Sequence, residues 1–151
     1  MSGLYYPQQH VKPLIGTKNS VSFELSPATL TSAYAGNSKI ITCDYMSQMV
    51  LYLQYTPGSG GNGNYVTMKL EWSSDGTNLS QEVAELISIG TTNEYIQERK
   101  FSNNAASIAL TTYAFRIPIE VADKFFKISV KETKVGGSDG IFFAEALLSG
   151  K

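Results

Sequence analysis

Hydrophobic and polar residues alternate with a period of two through much of this chain. The clearest case is residues 65–72, where every second position is apolar: Val66, Met68, Leu70 and Trp72. This alternation predicts a β-strand with one buried and one solvent-facing side. Asp75-Gly76 follows and predicts a turn, because Gly accepts a positive φ and Asp binds its own backbone. The stretch predicts antiparallel β-structure in which one layer packs on another.

Similar segments recur at short spacing and predict eight or nine strands, at residues 21–25, 30–35, 39–44, 47–56, 65–72, 92–101, 107–119, 126–131 and 141–148. Residues 79–89 fit either a strand with a bulge, which we favour, or one to two helical turns. Residues 57–64 predict a mobile hairpin tip, and residues 136–140 predict the Gly-rich tip of a final hairpin. Long helices do not alternate with the strands, which argues against a parallel α/β sheet. The expected fold class is all-β: a single antiparallel β-sandwich or jelly-roll-like domain.

The first twenty residues read differently from the rest of the chain. Pro7, Pro13 and Gly16 interrupt regular structure, yet the segment is rich in apolar side chains: Leu4, Tyr5, Tyr6, Val11, Leu14 and Ile15. We interpret residues 1–20 as an extended N-terminal arm and residues 21–151 as the β-sandwich domain. Because the arm is so apolar, we expect it to be docked, either on its own subunit or on an adjacent one.

Composition narrows the class of protein. The 151 residues fit one domain, with 42% hydrophobic and 17% charged residues. A net charge of -1 provides no basic field for nucleic acid. The N-terminus has no signal-peptide pattern and no apolar run approaches a membrane span. We therefore expect synthesis in a host cytoplasm, without nucleic-acid or membrane binding.

Catalytic side chains are scarce. His10 is the single histidine and has no orienting carboxylate beside it, and Cys43 is the single cysteine, so neither a Ser-His-Asp triad nor a zinc site is expected. The apolar neighbours of Cys43 predict a buried, inert thiol. Two carboxylate pairs, Glu82 with Glu85 and Glu94 with Glu98, read as solvated surface charge rather than as a glycosidase pair. We expect no enzyme activity and no cofactor.

The remaining candidate binding sites are loops and aromatic residues. Asp75 to Asn78 and Ser138 to Gly140 are explained by turn chemistry, because they lack the ligand spacing of an EF-hand. The Gly-rich loop 57–64 lacks the Lys-Ser/Thr of a phosphate-binding loop. Trp72 continues a core face, whereas three tyrosines around the loop divide between packing and interface roles: Tyr52, Tyr55 and Tyr65.

Three segments carry a family resemblance: residues 69–78 (KLEWSSDGTN), residues 122–132 (ADKFFKISVKE) and residues 140–148 (GIFFAEALL). Over residues 65–148 the chain resembles β-sandwich proteins of tailed-phage virions, especially head decoration (cement) and fibre-base modules. The resemblance implies a capsid-surface protein, often a trimer, with an arm that reaches a neighbouring subunit. It brings no catalytic residues.

Two functional hypotheses follow. The first is a non-enzymatic capsid decoration protein on the virion surface, in which the arm straps a homo-oligomer, with a trimer favoured, to the major capsid protein or another virion protein. The second is a carbohydrate- or receptor-binding module of a phage tail or fibre, with a glycan held by the three tyrosines and the 57–64 loop. The predicted partner contacts are Leu4, Tyr5, Tyr6, Val11, Leu14, Ile15, Tyr52, Tyr55 and Tyr65.

Overall fold

A computed structural model describes residues 9–34, 38–82, 85–89, 92–96, 99–101 and 108–150, with the backbone alone for residue 9 and residues 85–101. Its described elements are all β-strands, which confirms the predicted all-β class. The strands are β1 (Gln9–Ile15), β2 (Thr17–Lys18), β3 (Leu25–Ser26), β4 (Ala28–Thr29), β5 (Ile41–Thr42), β6 (Gln48–Thr56), β7 (Tyr65–Ser73), β8 (Ser80–Gln81), β9 (Glu85–Ile89), β10 (Thr92–Ile96), β11 (Arg99–Phe101), β12 (Tyr113–Glu120), β13 (Phe125–Thr133) and β14 (Ile141–Ser149).

Two antiparallel sheets form the body of the protein. The first sheet has the order β1-β14-β6-β12, and β4 extends it along β14. The second has the order β11-β7-β13-β5, and β8 also pairs with β7. Two short hairpins, β2-β3 and β9-β10, lie outside these sheets. The jelly-roll connectivity stays a prediction.

A single apolar core joins the two sheets, which makes the architecture sandwich-like. The first sheet contributes Met49, Leu51, Leu53 and Tyr55 from β6, and the second contributes Val66, Met68, Leu70 and Trp72 from β7. Trp72 is 4% exposed and its ring lies 4.5 Å from that of Phe126. The period-two pattern therefore identified the core face of β7 correctly, because that face is removed from water.

The connections between the long strands differ from the prediction. Strand β6 belongs to the first sheet and β7 to the second, and β13 and β14 are divided in the same way. The two Gly-rich segments are therefore crossovers between sheets, and both hairpin predictions were wrong. A Gly-rich turn between two alternating strands has the same local sequence in either arrangement, so the choice depends on which strand each one pairs with.

The described part of the predicted arm belongs to the sandwich. Strand β1 pairs with β14 from Gln9↔Ser149 to Ile15↔Ala144, with a register shift between Pro13 and Ile15. Leu14 and Ile15 are 0% and 1% exposed. Of the two docking alternatives, the structure shows the first, docking on the chain's own sheet, for residues 9–15.

Some shorter strand predictions were also wrong. Residues 21–24 form a turn rather than the predicted strand, and Val21 and Phe23 in it are 85% and 68% exposed. Residues 108–112 precede β12 without strand structure. Within residues 79–89, the described residues contain β8 and β9, which agrees with the preferred strand interpretation.

Candidate functional site

The predicted contact residues separate into buried and accessible groups. Leu14, Ile15 and Tyr55 are at most 1% exposed, so they offer no surface to a partner, and the structure corrects these three assignments. Their apolar character serves the chain's own core. Leu4, Tyr5 and Tyr6 lie outside the described residues.

The other three predicted residues do not form one site. Val11 and Tyr52 lie on the outer face of the first sheet, in adjacent rows that run through Leu147 and Glu145 of β14. Val11 is 49% exposed, and Tyr52 is partly buried beneath Arg116, whose guanidinium carbon lies 4.7 Å from the ring centroid. Tyr65 is partly buried at the start of β7 in the second sheet. A glycan site built from Tyr52, Tyr55 and Tyr65 together is therefore not present.

The loop 57–64 is held in place rather than hanging free. Asn64 is fully buried, and its side chain accepts a bond from Val135 N at 2.6 Å and donates one to Gly136 O at 3.0 Å. Ser138 N donates to Ser59 O at 2.9 Å. These bonds link the two crossover loops to each other, and we call this hydrogen-bonded contact the joint.

A third loop is attached to the same joint. Ala109 N donates to the Asn62 side chain at 2.7 Å, and Leu110 N donates to Pro57 O at 2.9 Å. Leu110 has a φ of 62°, a conformation that is costly for a residue with a branched side chain. Strained, hydrogen-bonded loops of this kind are often found at binding sites, where rigidity lowers the entropic cost of association.

These three loops display large apolar side chains to solvent. Ile108, Leu110 and Val135 are 60%, 71% and 75% exposed, and we call the three together the apolar crown. A nearby ion pair, Lys134 with Asp139 at 2.6 Å, carries no net charge. Exposed apolar side chains on loops that are hydrogen-bonded to one another form a candidate contact surface. Sequence reasoning missed them because Ile108 and Leu110 fit the alternation of a strand.

A buried hydrogen-bonded pair, Tyr55 and Glu132, lies beneath the crossover loops. The Tyr55 hydroxyl donates to one oxygen of Glu132 at 2.6 Å, and Gly140 N donates to the other at 2.9 Å. Glu132 is 2% exposed. Burial, followed by the bond to Glu132, raises the pKa of Tyr55 well above its ordinary value. The pair joins β6, β13 and the start of β14 beneath the crossover loops.

The titratable side chains that the sequence singled out are held by local structure rather than activated for catalysis. Asp75 accepts hydrogen bonds from Thr77 N and Asn78 N, both at 2.8 Å, and these lower its pKa below the ordinary range. Burial raises the pKa of Cys43 to about 11, which keeps the thiol protonated and inert at neutral pH. Glu82 accepts a bond from the Trp72 ring at 2.7 Å. Within the described residues, no three potential metal ligands come together.

A cavity of about 760 Å³ lies at the opposite end of the sandwich, among the turns around residues 43–46, 74–75 and 121–125. It contains the carboxylates of Asp44, Asp75 and Asp123. Asp75 is engaged by its own turn, and Asp123 accepts a bond from Lys124 N at 2.8 Å. The arrangement is therefore explained by turn structure, as the sequence predicted for Asp75.

No family model matches this sequence, and no curated protein or solved structure matches it either. Among the described residues, no helix is long and apolar enough to cross a membrane. The functional argument therefore depends on the geometry of the described surfaces.

Proposed function

We propose that this chain is a non-enzymatic structural protein that binds a protein subunit of a larger assembly through its apolar crown. The specific form that we propose is a phage capsid decoration protein, which binds as a homotrimer between capsid subunits on the virion surface. The observation that carries the proposal is the exposure of Ile108, Leu110 and Val135 on loops fastened to one joint. Burial of such side chains needs no titrating group.

The charge around the crown favours a protein partner over an anionic membrane. Lys134, which precedes Val135, is already paired with Asp139, so it adds no unpaired positive charge beside the apolar tips. Peripheral membrane attachment generally combines apolar insertion with basic residues. A neutral apolar surface with a polar surround instead fits the centre of a protein interface.

The segment that can act as a strap is shorter than the sequence suggested. Strand β1 uses residues 9–15 within the chain's own sheet. In the proposal, the strap is therefore limited to residues 1–8, where Leu4, Tyr5 and Tyr6 provide the apolar contacts.

The proposal is tested by adding purified protein to capsids isolated without it and counting the copies that sediment with them. The paired substitution Ile108→Ser with Val135→Ser should weaken binding about 100-fold, because two side chains lose their burial. Val21→Ser removes an equally exposed valine in a different loop and should bind normally.

Two results would contradict the proposal. Normal binding by the crown variant would show that the crown is not the contact. If the unaltered protein does not sediment with particles, the virion role is wrong.

A further inference from the structure

A second site lies on the outer face of the first sheet, away from the crown. The β2-β3 hairpin and this face together line an open pocket of about 330 Å³. The sheet contributes Val11, Pro13 and Glu145, and the hairpin contributes Lys18, Asn19, Ser20 and Phe23. This volume falls within the range of small-ligand pockets, which combine apolar walls with a few convergent polar groups.

The charges inside the pocket offset each other. Glu145 is 6% exposed, and its carboxylate lies 3.5 Å from the Lys18 ammonium. An incoming ion of either sign is attracted by one member of the pair and repelled by the other, so it gains no net attraction and must displace the ion pair to bind. A neutral ligand avoids both penalties and finds a hydrogen-bond acceptor and a donor side by side.

The apolar wall is positioned before any ligand arrives. Phe23 has a φ of 59°, and its N–H donates to Asn19 O at 3.0 Å. The Asn19 side chain accepts bonds from Val21 N and Ser22 N at 2.8 and 2.9 Å. The Phe23 ring is 68% exposed and lies 5.8 Å from the Lys18 ammonium. A large ring held open to solvent in this way presents a flat apolar surface beside the polar pair.

We propose that this pocket binds a neutral polyhydroxylated ligand with one apolar face, namely a pyranose unit of a saccharide. Phe23 stacks on the C–H face of the sugar, Glu145 accepts hydrogen bonds from its hydroxyls, and Lys18 donates to a hydroxyl oxygen. The pocket shares no residue with the crown, so this inference does not depend on the proposed function.

The test is an NMR titration of the full chain with the methyl pyranosides of glucose, galactose, mannose and N-acetylglucosamine as probes. At least one glycoside should shift the backbone amides of Lys18, Ser20 and Glu145 in a saturable manner. Phe23→Asn and Glu145→Gln should each weaken that binding roughly tenfold. Asn is chosen because it tolerates the positive φ at this position.

A matched control is available at Tyr45, in the turn that precedes β6. Tyr45 is 99% exposed and has a φ of 62°, so Tyr45→Asn removes an equivalent aromatic ring and should leave the titration unchanged. Acetate and tetramethylammonium serve as charged probes and should not bind. The proposal is overturned if no glycoside shifts these amides, if either ion binds more tightly than the glycosides, or if both pocket variants bind normally.

Discussion

At the residue scale, the surroundings of a side chain decide what it does. Tyr55 is an aromatic residue beside a Gly-rich loop, yet it is fully buried and its hydroxyl donates to Glu132. Phe23 is an aromatic residue of an alternating stretch, yet it is 68% exposed at a positive φ. The ring beside the loop, where an interface role was possible, is buried in the core. The ring in the alternating stretch, where burial was expected, is exposed.

The raised pKa of Tyr55 predicts a loss of stability at high pH. Burial and Glu132 keep the folded-state pKa above the ordinary value of 10.0, so above that pH the unfolded chain releases a proton that the folded chain retains. Unfolding becomes easier as pH rises, by about 1.4 kcal/mol at roughly pH 11 for this one group. Below pH 10 its contribution is fully present.

Urea unfolding of the unaltered protein and of Tyr55→Phe measures this effect. The variant should be less stable at neutral pH by about 1 kcal/mol, because one buried hydrogen bond is lost. The difference should shrink between roughly pH 10 and pH 11, since only the unaltered protein carries the titrating hydroxyl. A difference that stays constant over this range would show that Tyr55 does not titrate differently in the folded state.

At the element scale, the two crossovers act as one unit. The loop between β6 and β7 and the loop between β13 and β14 both carry the chain from one sheet to the other, and they touch through glycines. A Cβ on Gly137 would lie 2.3 Å from the carbonyl carbon of Gly60 and 2.4 Å from Ser59 O. This close backbone approach explains the glycine content of these loops better than mobility does.

Substitution of Gly137 should therefore disrupt the joint. Gly137 has a φ of 77°, so Gly137→Ala combines left-handed strain with a backbone clash, and we expect a loss of about 2–4 kcal/mol in the free energy of unfolding. Urea unfolding followed by Trp72 fluorescence provides the measurement.

The neighbouring glycine provides the control. A Cβ on Gly136 would have Gly60 O as its nearest neighbour, at 3.7 Å, so Gly136→Ala should leave stability unchanged or raise it by up to about 1 kcal/mol. Equal losses in the two variants would mean that general loop rigidity, and not the close approach at Gly137, determines the effect.

At the scale of the whole molecule, the N-terminal segment completes the sandwich. Strand β1 is the pairing partner of β14, and Lys12 donates to the Thr42 backbone and side chain at 2.6 and 2.8 Å across to the second sheet. Leu14 and Ile15 lie in the shared core. Residues 9–15 are therefore structural.

Two truncations distinguish the proposed strap, residues 1–8, from the structural residues 9–15. Removal of residues 1–8 leaves every described strand intact and should leave the unfolding midpoint unchanged. Removal of residues 1–15 exposes β14 and deletes two core side chains, so we expect a loss of at least about 4 kcal/mol, comparable with the whole stability of many domains. Urea unfolding of both truncated chains provides the measurement. If the longer truncation unfolds at the same urea concentration as the full chain, β1 is dispensable for stability. Residues 1–15 would then be an arm and not part of the sandwich.

Features that depend on neighbouring residues could be predicted from the sequence, whereas features that depend on residues far apart in the chain could not. The core face of β7 and the location of β13 were predicted, because a period of two records burial directly. The partners of those strands were not, since pairing joins residues far apart in the chain. Among the candidate contacts, Val11 is 49% exposed, whereas Leu14 and Ile15 have the same apolar character and are buried.

The sequence by itself determined that this chain is all-β, that its long strands have one buried face, and that Asp75 belongs to a turn. These features follow from local periodicity and local hydrogen bonding, which neighbouring residues decide. The tertiary structure alone decided that the Gly-rich loops are crossovers, that β1 belongs to the chain's own sheet, and that Ile108, Leu110 and Val135 are exposed together. These features depend on which distant segments meet, and an apolar side chain has the same pattern in the sequence whether its own core or a partner covers it.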